Sequence, residues 1–148
     1  MNCCGFGNRK VYRNIDKQLY DLVIQAIQNG CDTFYTGYMG DFDLKFCNAV
    51  KEAKKEYKNI ELICVRPYLT KELQSNKDYY YDYFDCIIIP PELSNVHYKQ
   101  AITERNKWIV NHSDIVIGFS VRKYGGAITA ISYASKQDKT IYMIDNNS

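Results

Sequence analysis

Short apolar runs alternate with helical stretches along the whole chain, and this alternation limits the fold more tightly than any other feature. Six runs, Met1–Phe6, Thr33–Thr36, Ile60–Val65, Asp85–Ile89, Asp114–Phe119 and Thr140–Ile144, read as strands that are apolar on both faces. Between them, Leu19, Leu22, Val23, Ala26 and Ile27 recur at helical spacing and stop at Gly30. A second helix runs from about Phe42 to Tyr57, with Leu44, Cys47, Val50 and Ala53 on one stripe. Further helices are expected over Lys99–Asn111 and Ala127–Lys136, while Thr70–Tyr83 reads as a short helix followed by a tyrosine-rich loop. Strands of this kind, separated by helices, imply an α/β fold: a Rossmann-like, doubly wound, mostly parallel sheet with helices on both faces. The 148 residues suit one domain, and the polar tail Asp145–Ser148 follows the last strand.

In such a sheet ligands bind beyond the carboxyl ends of the strands, where the strand order reverses. Three glycine turns fall at that edge. Gly5-Phe6-Gly7-Asn8-Arg9 follows the first strand, Gly37-Tyr38-Met39-Gly40-Asp41-Phe42-Asp43 the second, and Tyr124-Gly125-Gly126-Ala127 the fifth. Glycine lets backbone N–H groups approach an anion, and a following helix N-terminus supplies more of them. Arg9 beside the first turn can clamp a phosphate or carboxylate. Arg105 falls on the apolar stripe Ala101, Ile102, Trp108 and Ile109, so it needs a partner, and a bound anion would be one. Asp41 and Asp43 suit a helix start on dipole grounds, and Asp43 equally suits a sugar hydroxyl.

Several classes are excluded or unsupported. The third glycine of G-x-G-x-x-G is missing after Gly5 and Gly7, and no P-loop motif exists. Lys and Arg number 19 against 17 Asp and Glu, a net charge of +2, so nucleic acid is expected to be an unlikely partner. No apolar run approaches the roughly 20 residues of a membrane span, and no export signal is visible. The six cysteines, Cys3, Cys4, Cys31, Cys47, Cys64 and Cys86, form no C-x-x-C pair and read as reduced, packed thiols of a cytoplasmic protein. No metal site, cofactor or catalytic constellation emerges.

The runs Cys3-Cys4-Gly5-Phe6-Gly7-Asn8-Arg9, Gly37 to Asp43, Glu104-Arg105-Asn106-Lys107-Trp108 and Gly125-Gly126-Ala127 resemble the SLOG superfamily. Its name joins the DNA-processing protein Smf/DprA and the Lonely Guy (LOG) enzymes, and the resemblance spans nearly the whole chain. The small stand-alone bacterial and phage-type members are the most similar. The resemblance implies a nucleotide-binding domain over residues 1–148 that forms a homodimer or larger assembly. It places phosphates on the Gly7/Arg9 turn and the Gly125-Gly126 loop, with Arg105 reaching the same anion and Asp43 near sugar hydroxyls; Gly5, Asn8, Gly37, Gly40, Asn106, Ala127 and Thr129 complete the expected ligand-binding set.

One departure bears on activity. LOG-type phosphoribohydrolases carry Pro-Gly-Gly-x-Gly-Thr-x-x-Glu, and here Tyr124, Ile128 and Ser132 stand for the proline, the third glycine and the catalytic glutamate. A ribosyl cation needs a carboxylate near its anomeric carbon. Ser132 cannot supply one, which leaves Glu104 and Asp43 as the candidates. The leading expectation is therefore binding without strong catalysis: sensing or sequestering a nucleotide or NAD-derived signal, as a sponge or regulator in phage–host defence. The alternatives are an N-glycosidic hydrolase or transferase acting on nucleoside 5′-monophosphates, and a protein-interaction module that uses the Tyr79–Tyr83 cluster.

Overall fold

The computed structural model describes residues 1–144; the tail expected at Asp145–Ser148 lies outside them. The elements follow the order β1 (Asn2–Gly7), α1 (Asp16–Gln28), β2 (Thr33–Thr36), α2 (Asp41–Lys54), β3 (Glu61–Val65), α3 (Lys71–Ser75), α4 (Lys77–Tyr83), β4 (Cys86–Ile88), α5 (Tyr98–Asn111), β5 (Ile115–Phe119), α6 (Gly126–Lys136) and β6 (Thr140–Met143). A single 3-10 turn, Pro91–Leu93, precedes α5.

All six strands are parallel, in the order β4-β3-β2-β1-β5-β6. The chain winds outward from β1 to β4 and then returns to the other side of β1 at β5. The reversal therefore lies between β1 and β5, whose last residues, Gly7 and Phe119, stand in register.

Alternation along each strand divides the interior in two. Cys3, Phe34, Leu62, Cys64, Ile115 and Ile117 join a core with Leu19 and Val23 of α1 and Phe42, Phe46 and Val50 of α2. Cys4, Tyr35, Ile63, Val65 and Val116 face the other way, onto Ile109 and Val110 of α5 and Ala130, Ile131 and Ala134 of α6. Burying both faces explains why these strands lack polar alternation.

Helix α2 packs unusually close to β1. A Cβ on Gly5 would lie 2.6 Å from the Phe46 ring, and one on Gly7 would lie 2.2 Å from Phe42 Cγ. These two glycines are thus required by the ring edges above them. The same contact turns the buried face of α2 to Phe42, Phe46, Cys47, Val50 and Ala53 and leaves Leu44 45% exposed. The expected stripe containing Leu44 is corrected accordingly.

A second correction concerns the tyrosine-rich segment. It is helical to Tyr83 rather than a loop, because Thr70 caps α3 by accepting from the Leu73 N–H at 3.1 Å and Tyr80 is buried. The Tyr80 hydroxyl donates to Glu72, Tyr38 and Tyr79 hydroxyls meet at 3.1 Å, and Lys51 Nζ stands 3.7 Å over the Tyr83 ring. The cluster fastens α4 to α2 and to the end of β2, with Tyr79 and Tyr81 left exposed. Five of the cysteines are buried and Cys86 is exposed, all as free thiols. No helix among the described residues is long and apolar enough to cross a membrane.

Gly7→Ala is expected to lower unfolding free energy by about 2 kcal/mol through overpacking against Phe42. Phe42→Leu should recover part of that loss in the double variant. Urea denaturation of the single and double variants reads both effects, and additive losses would contradict the contact.

Candidate functional site

A cleft of about 230 Å³ opens at the reversal point, between the ends of β1, β2 and β5 and the sides of α5 and α6. Its floor is Gly7, Gly37 and Asp43, and its walls carry Arg9, Arg105 and Asn106 on one side and Gly125, Gly126 and Ala127 on the other.

Arg105 dominates the interior. Only 2% of it is exposed. Its Nη1 donates to the Val65 carbonyl at 2.9 Å and the Gly37 carbonyl at 3.4 Å, Nη2 to Met39 Sδ, and Nε to Asn106 Oδ1. Gly37 must be glycine for this, since a Cβ there would lie 2.7 Å from the guanidinium carbon. These partners are neutral, and Arg105 joins no ion pair among the described residues. Burial pushes its pKa down to about 10, against the pull of the Asp43 carboxylate.

Asp43, half-buried in the first turn of α2, accepts from the Met39 N–H at 2.7 Å. Burial raises its carboxyl from 3.8 to about 6, although that hydrogen bond and the charges of Arg105 and Arg9 hold it down. It is the one carboxylate that lines the cleft.

The two helix starts at the site differ in what they offer. At α2, the N–H groups of Asp41 and Phe42 already donate to the carbonyls of Arg9 (2.8 Å) and Asn8 (3.3 Å). Gly40, at φ +97, brings this turn so close that a Cβ would strike the Arg9 backbone at 2.7 Å. At α6, the first backbone return is Thr129 N–H to the Gly125 carbonyl at 3.1 Å. Gly126, Ala127 and Ile128 are left with orphan N–H groups at the positive end of an 11-residue helix. Gly125, at φ +109, turns the chain into that helix, and neither it nor Gly126 has a neighbour within 4 Å of a Cβ position.

Other expected site residues fall elsewhere. Gly5 lies under Phe46 and Gly40 against Arg9, both outside the cleft. Asn8 lines the cleft but spends its carboxamide oxygen on the Val121 N–H at 2.9 Å, tying the β1 turn to the β5 turn. Thr129 turns its hydroxyl onto the Gly125 carbonyl and lines a neighbouring groove. Glu104 is 3.7 Å from Lys107, away from the cleft, and Ser132 lies on the outer flank of α6. None of Tyr79–Tyr83 lines the cleft.

Six lining residues went unselected from sequence: Phe6, Lys10, Met39, Ile102, Arg122 and Tyr124. A basic residue next to each glycine turn was a usable signal for Lys10 and Arg122. Met39, whose sulfur receives the Arg105 guanidinium, carries no local signal that marks it. Among the described residues no group of three His, Cys, Asp or Glu could hold a metal ion.

No protein-family model matches the chain, and no curated protein matches it. Solved structures do. DNA processing protein A (DprA) from Streptococcus pneumoniae superposes with a TM-score of 0.69 at 16% identity, covering 99% of this chain. DprA from Helicobacter pylori, described in its single-stranded DNA binding mode, superposes at 0.67 and 16% identity over 100% of this chain. The chain spans 50% of the length of the first and 67% of the second. The fold is thus the Rossmann-like α/β fold of the DprA structures, in line with the SLOG resemblance. The same finding corrects one expectation. Nucleic acid was set aside because the net charge is only +2, yet this fold serves a protein that binds single-stranded DNA. Net charge averages over the whole surface and says nothing of a cationic cleft at one sheet edge.

The raised carboxyl of Asp43 gives a pH prediction. Its folded value, about 6, lies above the unfolded 3.8. Its contribution to stability is therefore fully present below pH 3.8 and is lost as pH rises through 6. Allowing for partial solvent access, the loss is about 2 kcal/mol. Asp43→Asn keeps an acceptor for Met39 N–H and should be more stable than wild type at pH 8 but equal to it near pH 4. Denaturant melts at the two pH values test this, and an identical gain at both would contradict it.

Proposed function

We propose that the cleft binds the phosphate of a nucleotide and holds it without strong turnover. The observation that carries this reading is the buried Arg105 guanidinium, which meets neutral partners and opens onto the unsatisfied N–H groups of α6. The Asp43 carboxylate counters the Arg105 charge without forming an ion pair with it, and a phosphate between Arg105 and the helix N-terminus supplies the direct counter-charge that the neutral hydrogen-bond partners do not. Arg9, Lys10 and Arg122 at the mouth add charge for the same anion. Asp43, across the cleft, suits a sugar hydroxyl rather than the phosphate, since its carboxylate and a phosphate repel.

Binding rather than cleavage is favoured by the placement of the acids. The residue standing for the LOG-type glutamate is Ser132, outside the cleft, and Glu104 is engaged by Lys107. Asp43 is the one carboxylate near the ligand. The phosphate can belong to a free nucleotide or to a single-stranded nucleic acid, and the exposed basic residues Lys10 and Arg122, with Tyr124 73% exposed beside them, favour testing both.

Calorimetry with nucleoside 5′-monophosphates tests the proposal. Wild type should bind one or more of them at micromolar Kd, and Arg105→Met should weaken binding at least about tenfold. Gly126→Asp separates binding from folding, because a side chain there meets open space and an acid at the first helical turn is stabilising. That variant should melt no lower than wild type and yet lose phosphate binding. Retained affinity in a folded Gly126→Asp protein would refute the proposed anion position. Release of free base from the monophosphates, read by chromatography, would contradict binding without turnover.

A further inference from the structure

Three hollows surround the first turns of α6. The Arg105 cleft shares Ile102, Asn106 and Gly126 with a second hollow on the seam between α5 and α6, about 210 Å³. The second shares Lys107, Thr129 and Tyr133 with a third of about 560 Å³ on the outer flank of α6. Tyr124 and Gly125 line both the first and the third. The hollows are therefore parts of one trough that begins at the buried arginine and leads outward over α6.

The outer part of the trough is cationic. Lys107, Lys123 and Lys136 line it. Helix α6 contains no acidic residue, and the one acid of α5, Glu104, lies 3.7 Å from Lys107. Lys107 Nζ stands 5.7 Å over the Tyr133 ring, whose hydroxyl donates to Asn111 and so fixes the ring as a wall. Tyr124, at the junction of the first and third hollows, presents an open aromatic face.

From this continuity of cleft and lysine-lined trough, we infer that the natural ligand carries at least two phosphate groups joined through a sugar. One phosphate occupies the Arg105 and α6 position, and the next lies among Lys107, Lys123 and Lys136. A base between them lies against Tyr124, since aromatic faces accept any base. The inference rests on the phosphate reading of the cleft. A mononucleotide uses only the inner end of the trough and leaves its lysine-lined outer end unfilled. A linear dinucleotide and a longer single strand share the required chemistry.

Competition fluorescence anisotropy with thymidine 5′-monophosphate, the 5′-phosphorylated dinucleotide pTpT and a longer oligothymidylate tests this. The dinucleotide should bind about tenfold more tightly than the monophosphate. Its affinity should fall with salt more steeply, by about 0.7 in the log–log slope for the added phosphate. A Lys107→Ala, Lys136→Ala double variant should lose that gain while binding the monophosphate as wild type does. No further gain with the oligomer identifies a dinucleotide ligand, and a continuing gain identifies a strand; both uphold the second phosphate position. Equal affinity for monophosphate and dinucleotide overturns it, as does a double variant that keeps the gain. Failure of all three ligands to bind overturns the phosphate reading of the cleft and this inference together, whereas monophosphate binding without the gain overturns this inference alone.

Discussion

A guanidinium taken out of water at the carboxyl edge of the sheet is the interaction on which the site is organised. Arg105 reaches from α5 to the carbonyl ends of two strands, Val65 of β3 and Gly37 of the β2 turn, and so fixes how α5 lies over the sheet. The requirement propagates into the sequence. Gly37 has no side chain because the guanidinium occupies that space, and Met39 offers sulfur rather than a charge. Its hydrogen-bond partners are neutral and Asp43 counters the charge without pairing with it directly, which makes the neighbouring helix start of α6 consequential. Two independent sources of positive potential, a side chain and a helix dipole, meet across one small cleft.

The glycines of this edge look alike in sequence and do different things. Gly5 and Gly7 let the rings of Phe46 and Phe42 lie against β1, which brings the start of α2 beneath the β1 turn. That closeness lets the Asn8 and Arg9 carbonyls take the first N–H groups of α2, so this helix start offers an anion little. Gly125 and Gly126 face open space, and the helix that follows them keeps its N–H groups available. A glycine motif becomes a ligand motif only where nothing else fills the room it leaves.

Much of this was readable in the sequence because it depends on local or periodic signals. Strands apolar on both faces gave the parallel sheet, and the turns after them gave the edge to inspect. Arg105 stood out because a cation on an apolar helical stripe violates the usual pattern. What escaped depends on tertiary contact. Leu44 matched the helical stripe by period, yet the contact of Phe42 and Phe46 with a glycine-lined strand rotated α2 away from it. Tyr80 reads as polar loop until its ring finds Phe84 and Tyr38 and its hydroxyl finds Glu72. The net charge of +2 misled about nucleic acid, because a sum over the chain says nothing of where basic side chains gather, and Arg9, Lys10, Arg105 and Arg122 all line the cleft at one sheet edge.

An amide-resolved NMR titration with thymidine 5′-monophosphate bears most directly on the role of Arg105 and α6. The backbone amides of Gly126, Ala127 and Ile128 and the Arg105 Nε–H should shift together and saturate at one concentration, while those of Asp41 and Phe42 stay near their starting positions. Shifts centred on the start of α2, or a saturable response that leaves Gly126–Ile128 untouched, would contradict an anion site built from a buried arginine and a free helix N-terminus.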